Sequence, residues 1–159
     1  MLMLDYPAGS SCDGIVGQWN AFSEIYAQKR VKTIAVSNFS PDQMKCILSN
    51  TSAVVPSVNQ MQYSVGHGHD TVVADNAKHH TVVQAYSPLG SGNLATDPMC
   101  ERIGKAHNKS AAQVALRWIL QHNATINTQS THLEYLQQDA DIFDFELSPE
   151  DMKQLDAHT

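Results

Sequence analysis

The sequence predicts an α/β protein built from parallel strand–helix–strand units. Short, near-continuous apolar runs alternate with amphipathic helical patterns along all 159 residues. Alternation of this kind is the pattern of βαβ units, and strands apolar on both faces are strands covered by helices on both sides. The hydrophobic fraction of 42% is enough for a packed core.

The elements follow in order. Leu2-Met3-Leu4 is a short buried strand, and residues 7–14 are turn-rich. Residues 18–30 carry Trp19, Phe22, Ile25 and Tyr26 at helical spacing, so one face is apolar. Residues 33–36 are strand-like and end at Ser37-Asn38-Phe39-Ser40. Ser40-Pro41 then opens a helix, with Ser as the cap and Pro at the first helical position. Met44, Ile47 and Leu48 form its inward face. Residues 57–63 are the third strand, residues 70–79 a weakly patterned helix, and residues 81–86 the fourth strand, closed by Ser87-Pro88-Leu89-Gly90. Helices are expected over 100–107 and 110–122, the second with Val114, Leu116, Ile119 and Leu120 inward. A fifth strand covers 125–128, a helix 132–139, and Ser148-Pro149-Glu150-Asp151 caps a last helix. No low-complexity tract, charge block or linker divides the chain, so a single domain over residues 1–159 is expected.

The net charge of −6 and the lack of a basic stripe argue against nucleic acid, whose phosphates require clustered Lys and Arg. The same composition argues against an anionic membrane surface. No apolar run approaches the roughly 20 residues of a membrane span. The start, Met1 to Leu4, is too short for a signal peptide. Cys12, Cys46 and Cys100 lie far apart, form no CxxC pair and are odd in number. They therefore point away from a secreted disulfide framework and fit a reduced compartment best, with all three read as structural. Cys46 does have Lys45 beside it, but adjacent helical positions do not face each other. The expectation is a soluble intracellular chain, in the cytosol, in an organelle or peripheral on a complex. His67, His69 and Asp70, with His79 and His80, are read as solvated side chains and not as a metal site.

Several segments carry a resemblance. Ile34-Ala35-Val36-Ser37-Asn38-Phe39, Val58-Asn59-Gln60, Ala85-Tyr86-Ser87-Pro88-Leu89-Gly90 and Ser110-Ala111-Ala112-Gln113-Val114-Ala115-Leu116-Arg117-Trp118 resemble motifs of the aldo-keto reductases. So does Ile142-Phe143-Asp144-Phe145-Glu146-Leu147 with the capped helix after it. Each is weak alone, but their order and spacing are jointly specific and cover nearly the whole chain. The resemblance implies a partial (β/α)8 TIM barrel: about five parallel strands corresponding to strands four to eight, the C-terminal half of a fold of about 250 residues.

The resemblance also implies roles. The family reduces carbonyls with NADPH: a Tyr donates the proton, a Lys–Asp pair lowers its pKa and a His orients the carbonyl. The Tyr, Lys and Asp fall in the part that precedes strand four. Asp5 occupies the His position, within Leu4-Asp5-Tyr6-Pro7, and an ionised carboxylate cannot donate to a carbonyl oxygen. No catalytic residue is therefore expected in this chain, and Tyr6 suits a strand end.

On the cofactor side, Ser37, Asn38 and Gln60 match the residues that hold the nicotinamide carboxamide. Tyr86 matches the residue stacked on the nicotinamide ring, and Ser87 and Leu89 the loop over the pyrophosphate. The family's Pro-Lys-Ser run at the 2′-phosphate is Thr128-Gln129-Ser130 here, its Arg is Tyr135 and its terminal Glu-Asn pair is Gln138-Asp139. Ser130 remains a phosphate-binding candidate. The same segments also have a purely structural reading, since Ser37-Asn38 caps a turn and Pro88-Leu89-Gly90 is ordinary loop chemistry. The expectation is no bound cofactor, with NADP(H) implied by the family but its 2′-phosphate clamp altered, and no metal.

A five-strand piece of a barrel leaves two strand edges and an apolar inner face to be covered. A protein partner or self-association is therefore expected. The leading expectation is a non-catalytic pseudoenzyme acting as an accessory or structural subunit of a complex. The alternatives are a fragment or split half of an NADPH-dependent carbonyl reductase, and a weak dinucleotide-binding module.

Overall fold

The computed structural model describes residues 1–9, 11–50, 52–67 and 70–158, with the backbone alone at Asp70. Strands β1 (Leu2–Leu4), β2 (Ile34–Ser37), β3 (Val58–Gln62), β4 (Val82–Tyr86) and β5 (Thr125–Asn127) follow one another in a single sheet in chain order. β1 pairs parallel with β2, and β2 with β3, in the registers Leu4 to Val36 and Val36 to Asn59. Helices α1 (Cys12–Ala27), α2 (Pro41–Leu48) and α3 (Asp70–Ala77) each follow a strand. After β4 come two short 3-10 turns over Gly90–Thr96, then α4 (Pro98–His107) and α5 (Ala111–Gln121). After β5 come α6 (Leu133–Ala140) and α7 (Pro149–Asp156). Sequential parallel strands joined through helices are the βαβ order that the sequence predicts.

The chain divides into two compact units. One comprises Met1–Met61 and Thr71–Gln84, the other Gln62–Asp70 and Ala85–Thr159. In the first, Leu4, Ile15, Trp19, Ile34, Val36, Phe39, Met44 and Ile47 form the core. All four residues of β2 are buried, as a strand covered on both faces requires. Trp19 is buried and its indole N–H donates to the Val54 carbonyl at 2.8 Å, so burying the ring leaves no orphan donor. In the second, Ile103, Val114, Leu116, Ile119 and Leu155 are fully enclosed. Tyr63 stacks on Trp118 with ring centroids 5.1 Å apart, and the Trp118 indole donates to Asp156 at 2.7 Å.

Two expectations need correction. α1 begins at Cys12, inside the stretch read as turns, because Ser11 caps it through Gly14 N–H and Asp13 occupies its first turn. The buried stripe therefore starts at Ile15 and ends early: Tyr26 is 40% exposed, and Lys29 turns the chain with a positive φ of 58°. The cysteines need the larger correction. Cys12 and Cys46 form a disulfide, with Cα atoms 5.1 Å apart. They are 34 residues apart in sequence, but they follow neighbouring strands of a parallel sheet, so α1 and α2 lie side by side. The cysteine argument for a reduced compartment falls with this pairing. Cys100 is free and buried. Burial and the Asp97 carboxylate push its thiol up to about 12, so it is no nucleophile at neutral pH. Among the described residues, no helix is long and apolar enough to cross a membrane.

Candidate functional site

The first unit holds a cluster of amides at the ends of β2 and β3. Ser37 closes β2 and is 1% exposed. Asn38 adopts a positive φ of 60°, a conformation Asn tolerates better than most residues, and its side chain donates to Ser37 Oγ at 3.0 Å. Its backbone N–H donates to the Gln60 carbonyl at 2.8 Å, which ties the turn to β3.

Asn59 locks the turn from below. It is fully buried: its Oδ1 accepts the Phe39 N–H at 3.3 Å, and its Nδ2 donates to the Phe39 carbonyl at 2.9 Å and to Asn76 Oδ1 at 3.2 Å. Asn76 is itself held by donating to the Val72 carbonyl at 2.8 Å. Along β3 the pleat places Asn59 and Gln60 on opposite faces, so Asn59 anchors the turn while half-buried Gln60 faces the other way.

Gln60 has a partner that sequence reasoning missed. Its Nε2 donates to Gln84 Oε1 at 2.7 Å. The signal was a lone amide at the middle of the apolar run of β4, where Val83 and Ala85 are buried and Gln84 and Tyr86 share the other face. The pairing occupies one amide N–H of Gln60 and leaves its carbonyl oxygen as an acceptor for a ligand's N–H. Asp5 lies just after β1, exposed, and Tyr6 beside it is 62% exposed.

The second unit holds a cavity of about 540 Å³ lined by Tyr86, Ser87, Leu89, Ser91, Thr128 and Gln129 among others. Ser87, Gly90, Ser91 and Gly92 all have positive φ, so the loop after β4 bends sharply around it. The glycines supply that conformation without steric cost. Thr128 Oγ1 donates to Asp139 Oδ2 at 2.9 Å, which joins the end of β5 to α6. Ser130 Oγ accepts the His132 N–H at 3.1 Å, and the His132 and Tyr135 rings lie 5.3 Å apart. Each unit thus gathers its own expected residues: Ser37, Asn38 and Gln60 in the first, and Tyr86, Ser87 and Leu89 in the second. Ser130 follows Gln129 but is turned to its own helix start. Of the histidines weighed as metal ligands, His79 and His80 follow the end of α3, while His69 and the side chain of Asp70 lie outside the described residues.

The family model for the aldo/keto reductase family matches residues 5–159. The chain belongs to that family. It is 34% identical over 144 residues to a 9,11-endoperoxide prostaglandin H2 reductase of Trypanosoma cruzi (strain CL Brener), covering 89% of this chain and 50% of that protein. It is 37% identical over 142 residues to the glyoxal reductase of Bacillus subtilis (strain 168), covering 87% and 50%. Among solved structures, the aldo-keto reductase MGS-M4 from a Medee basin deep-sea metagenome library superposes with a TM-score of 0.89 at 28% identity, covering 99% of this chain and 59% of that one. A variant of Gox0644 in complex with NADPH gives 0.89 at 28% identity, covering 97% and 56%. The chain spans about half the length of the curated relatives it matches. Five parallel strands with helices are thus the corresponding half of an aldo-keto reductase (β/α)8 barrel.

Proposed function

We propose that this chain is the cofactor-holding half of a pyridine-dinucleotide-dependent carbonyl oxidoreductase, and that it does not turn over a carbonyl by itself. The observation that carries the reading is the amide cluster. Ser37, Asn38 and Gln60 are fixed by Asn59 and Gln84 with little left to reorganise, and a preorganised set of donors and acceptors is what a carboxamide requires. The cavity in the second unit suits a ribose–pyrophosphate stretch: it is roomy, lined by serine and threonine, and bordered by Tyr86 as a stacking surface. A bound dinucleotide would supply or accept the hydride. These residues would bind and orient it.

The chemistry on the carbonyl requires a proton donor. The position that resembles the family's carbonyl-orienting His is Asp5, and the positions that resemble its Tyr and Lys fall outside the stretch matched here. A second polypeptide surface, in the same chain or another, is the proposed source of those groups. Asp5 also favours a second reading, in which the half-barrel is a pseudoenzyme serving as an accessory subunit of a larger complex.

The deciding experiment is the native mass of the protein in gentle extracts, with co-migrating proteins identified and each fraction assayed for aldehyde-dependent dinucleotide oxidation. Turnover in a fraction holding a complete barrel supports the reductase half. A large assembly of fixed stoichiometry without turnover supports the accessory subunit instead. Turnover by the purified 159-residue chain alone would overturn both.

A further inference from the structure

Positions 6–14 of the first unit lead from β1 into the packed part of α1, and none of the described residues among them is buried. The nearest buried side chains on either side are Leu4 and Ile15. The hydrogen bonds of this stretch run within it or to α1. The Ala8 N–H donates to Gln18 Oε1 at 2.6 Å, the Gly9 N–H to the Pro7 carbonyl at 2.8 Å and the Gly14 N–H to Ser11 Oγ at 3.4 Å. Among the described residues, the tie from this stretch to another element is the Cys12–Cys46 disulfide, which reaches α2. A segment with no buried side chain and a covalent tie across elements is a strap: once the tie is cut, local opening costs little.

The two sulfurs of that tie differ in access. Cys12 is exposed, at the start of α1. Cys46 is 8% exposed and packs in the core with Met44 and Ile47. Thiol exchange requires an external thiolate to reach one sulfur of the pair, and exposed disulfides are the labile ones. Approach is open at Cys12 and closed at Cys46. Cys100 is free but fully buried in the other unit, so it does not compete.

We infer that Cys12 is an exchange site for low-molecular-weight thiols, and that its bond to Cys46 is a reversible latch on the strap over positions 6–14. The thiolate of the small thiol attacks Cys12 Sγ. The Cys12–Cys46 bond breaks as a mixed disulfide forms on Cys12, and Cys46 leaves with the electron pair and takes a proton from water. Its Sγ lies 3.5 Å from the Asp42 carbonyl oxygen, which accepts the new S–H. A second small thiol attacks the mixed disulfide at the small molecule's sulfur and releases Cys12 as a thiol. The cystine thus gains two electrons, and two small thiols are oxidised to their disulfide, which runs the sequence backwards when it is in excess. The strap that the latch holds begins beside Asp5, at the end of β1. Thiol exchange needs no dinucleotide, so the inference stands apart from the reading given above.

The test uses the full chain purified without reductant and incubated with reduced glutathione at neutral pH. Aliquots are quenched with an alkylating agent, mapped by peptide mass spectrometry and followed by amide hydrogen exchange. At early times glutathione is expected on Cys12, with Cys46 alkylated as a free thiol and Cys100 unmodified. Amides of positions 6–14 are expected to exchange about tenfold faster, while those of β2 and α5 keep their rates. The variant Cys46→Ala leaves Cys12 unpaired. It is expected to take up glutathione at Cys12 from oxidised glutathione and to show the same local loosening. Should that variant fold poorly, the wild-type result decides. Glutathione on Cys46 in place of Cys12, or reduction that proceeds only in urea, overturns the exchange site. So does a protein isolated without the cystine that forms none with oxidised glutathione. Exchange that accelerates throughout the first unit, or not at all over positions 6–14, overturns the latch.

Discussion

Two single residues show how closely the backbone around the amide cluster and the α4–α5 corner is determined. Asn59 satisfies both the N–H and the carbonyl of Phe39, all within a fully buried environment. Leu in its place would fit a β3 facing a helix layer, but it would strand two backbone groups and the Asn76 amide. Each buried group left without a partner costs about 1–3 kcal/mol, so Asn59→Leu should destabilise the protein by about 2–4 kcal/mol in urea unfolding. It should also release the Ser37–Asn38 turn that Asn59 supports. An unfolding midpoint within error of the wild type would show that the turn is held by something else. Gly104 is determined by space. A Cβ there would lie 2.3 Å from the Lys109 carbonyl oxygen, because Asn108 takes a left-handed conformation (φ 55°) and folds the chain back against α4. The obstacle is backbone and cannot swing away, so Gly104→Ala should cost about 1–3 kcal/mol, despite the better helix propensity of Ala. A neutral or stabilising result would mean the α4–α5 turn shifts freely.

At the scale of elements, the helix starts are the most legible part of the fold. Ser40, Ser110 and Ser148 each form a reciprocal capping box with the residue three positions on, and each is recognisable from Ser followed by Gln or Asp at that spacing. The strands are legible because parallel strands are apolar on both faces. The disulfide is not, because pairing Cys12 with Cys46 depends on which helices become neighbours, a tertiary fact that no local pattern carries. The start of α1 is hidden for a related reason: glycine and serine near Gly14 look like a turn until Ser11 caps the helix. The site is legible in its residue types. Its support is less so, since Gln84 declares itself only once β3 and β4 lie together. The disulfide also makes a prediction. It closes a loop of 34 residues between α1 and α2, and in the chain-entropy picture such a crosslink contributes about 3–4 kcal/mol. Urea unfolding with and without a dithiol reductant should differ by about that amount, and the exposed Cys12→Ser should match the reduced protein. Equal midpoints in all three samples would show that the crosslink does not constrain the unfolded chain.

For the molecule as a whole, the balance of 16 acidic against 10 basic residues makes pH the natural probe. Carboxylates tie the last helix of the second unit to its neighbours beside the buried Leu155. Asp151 faces His107 at 3.4 Å, Asp156 accepts from the Trp118 indole at 2.7 Å, and just beyond α7 His158 contacts Asp97 at 2.8 Å. Burial raises the Asp97 carboxyl, but hydrogen bonds from Cys100 N–H and His158 outweigh it and leave the group below its ordinary range. Asp151 follows the same pattern: burial is outweighed by Ser148 and then by His107. A carboxyl whose folded pKa is depressed stabilises the fold above its unfolded value, about 3.9 for Asp, and loses that contribution as pH falls through the folded value. Lys109 behaves in the opposite sense: the hydrogen bonds its ammonium donates to Asp144 and Asp141 raise it, so its contribution is lost only under strongly alkaline conditions. Stability should therefore change little on account of these groups between about pH 5 and 9, and fall steeply below about pH 4. Asp97→Asn isolates one share of that fall. Asn still caps α4, where Asp97 now accepts from the Met99 and Cys100 N–H groups at 2.9 Å. The variant should be less stable than wild type at pH 7, and the gap should narrow as pH drops below 4, because the wild-type carboxylate is then protonated as well. A constant gap from pH 7 to pH 3 would mean that the cost of the substitution lies in packing or geometry, and that the charge of Asp97 does not hold the C-terminal segment in place.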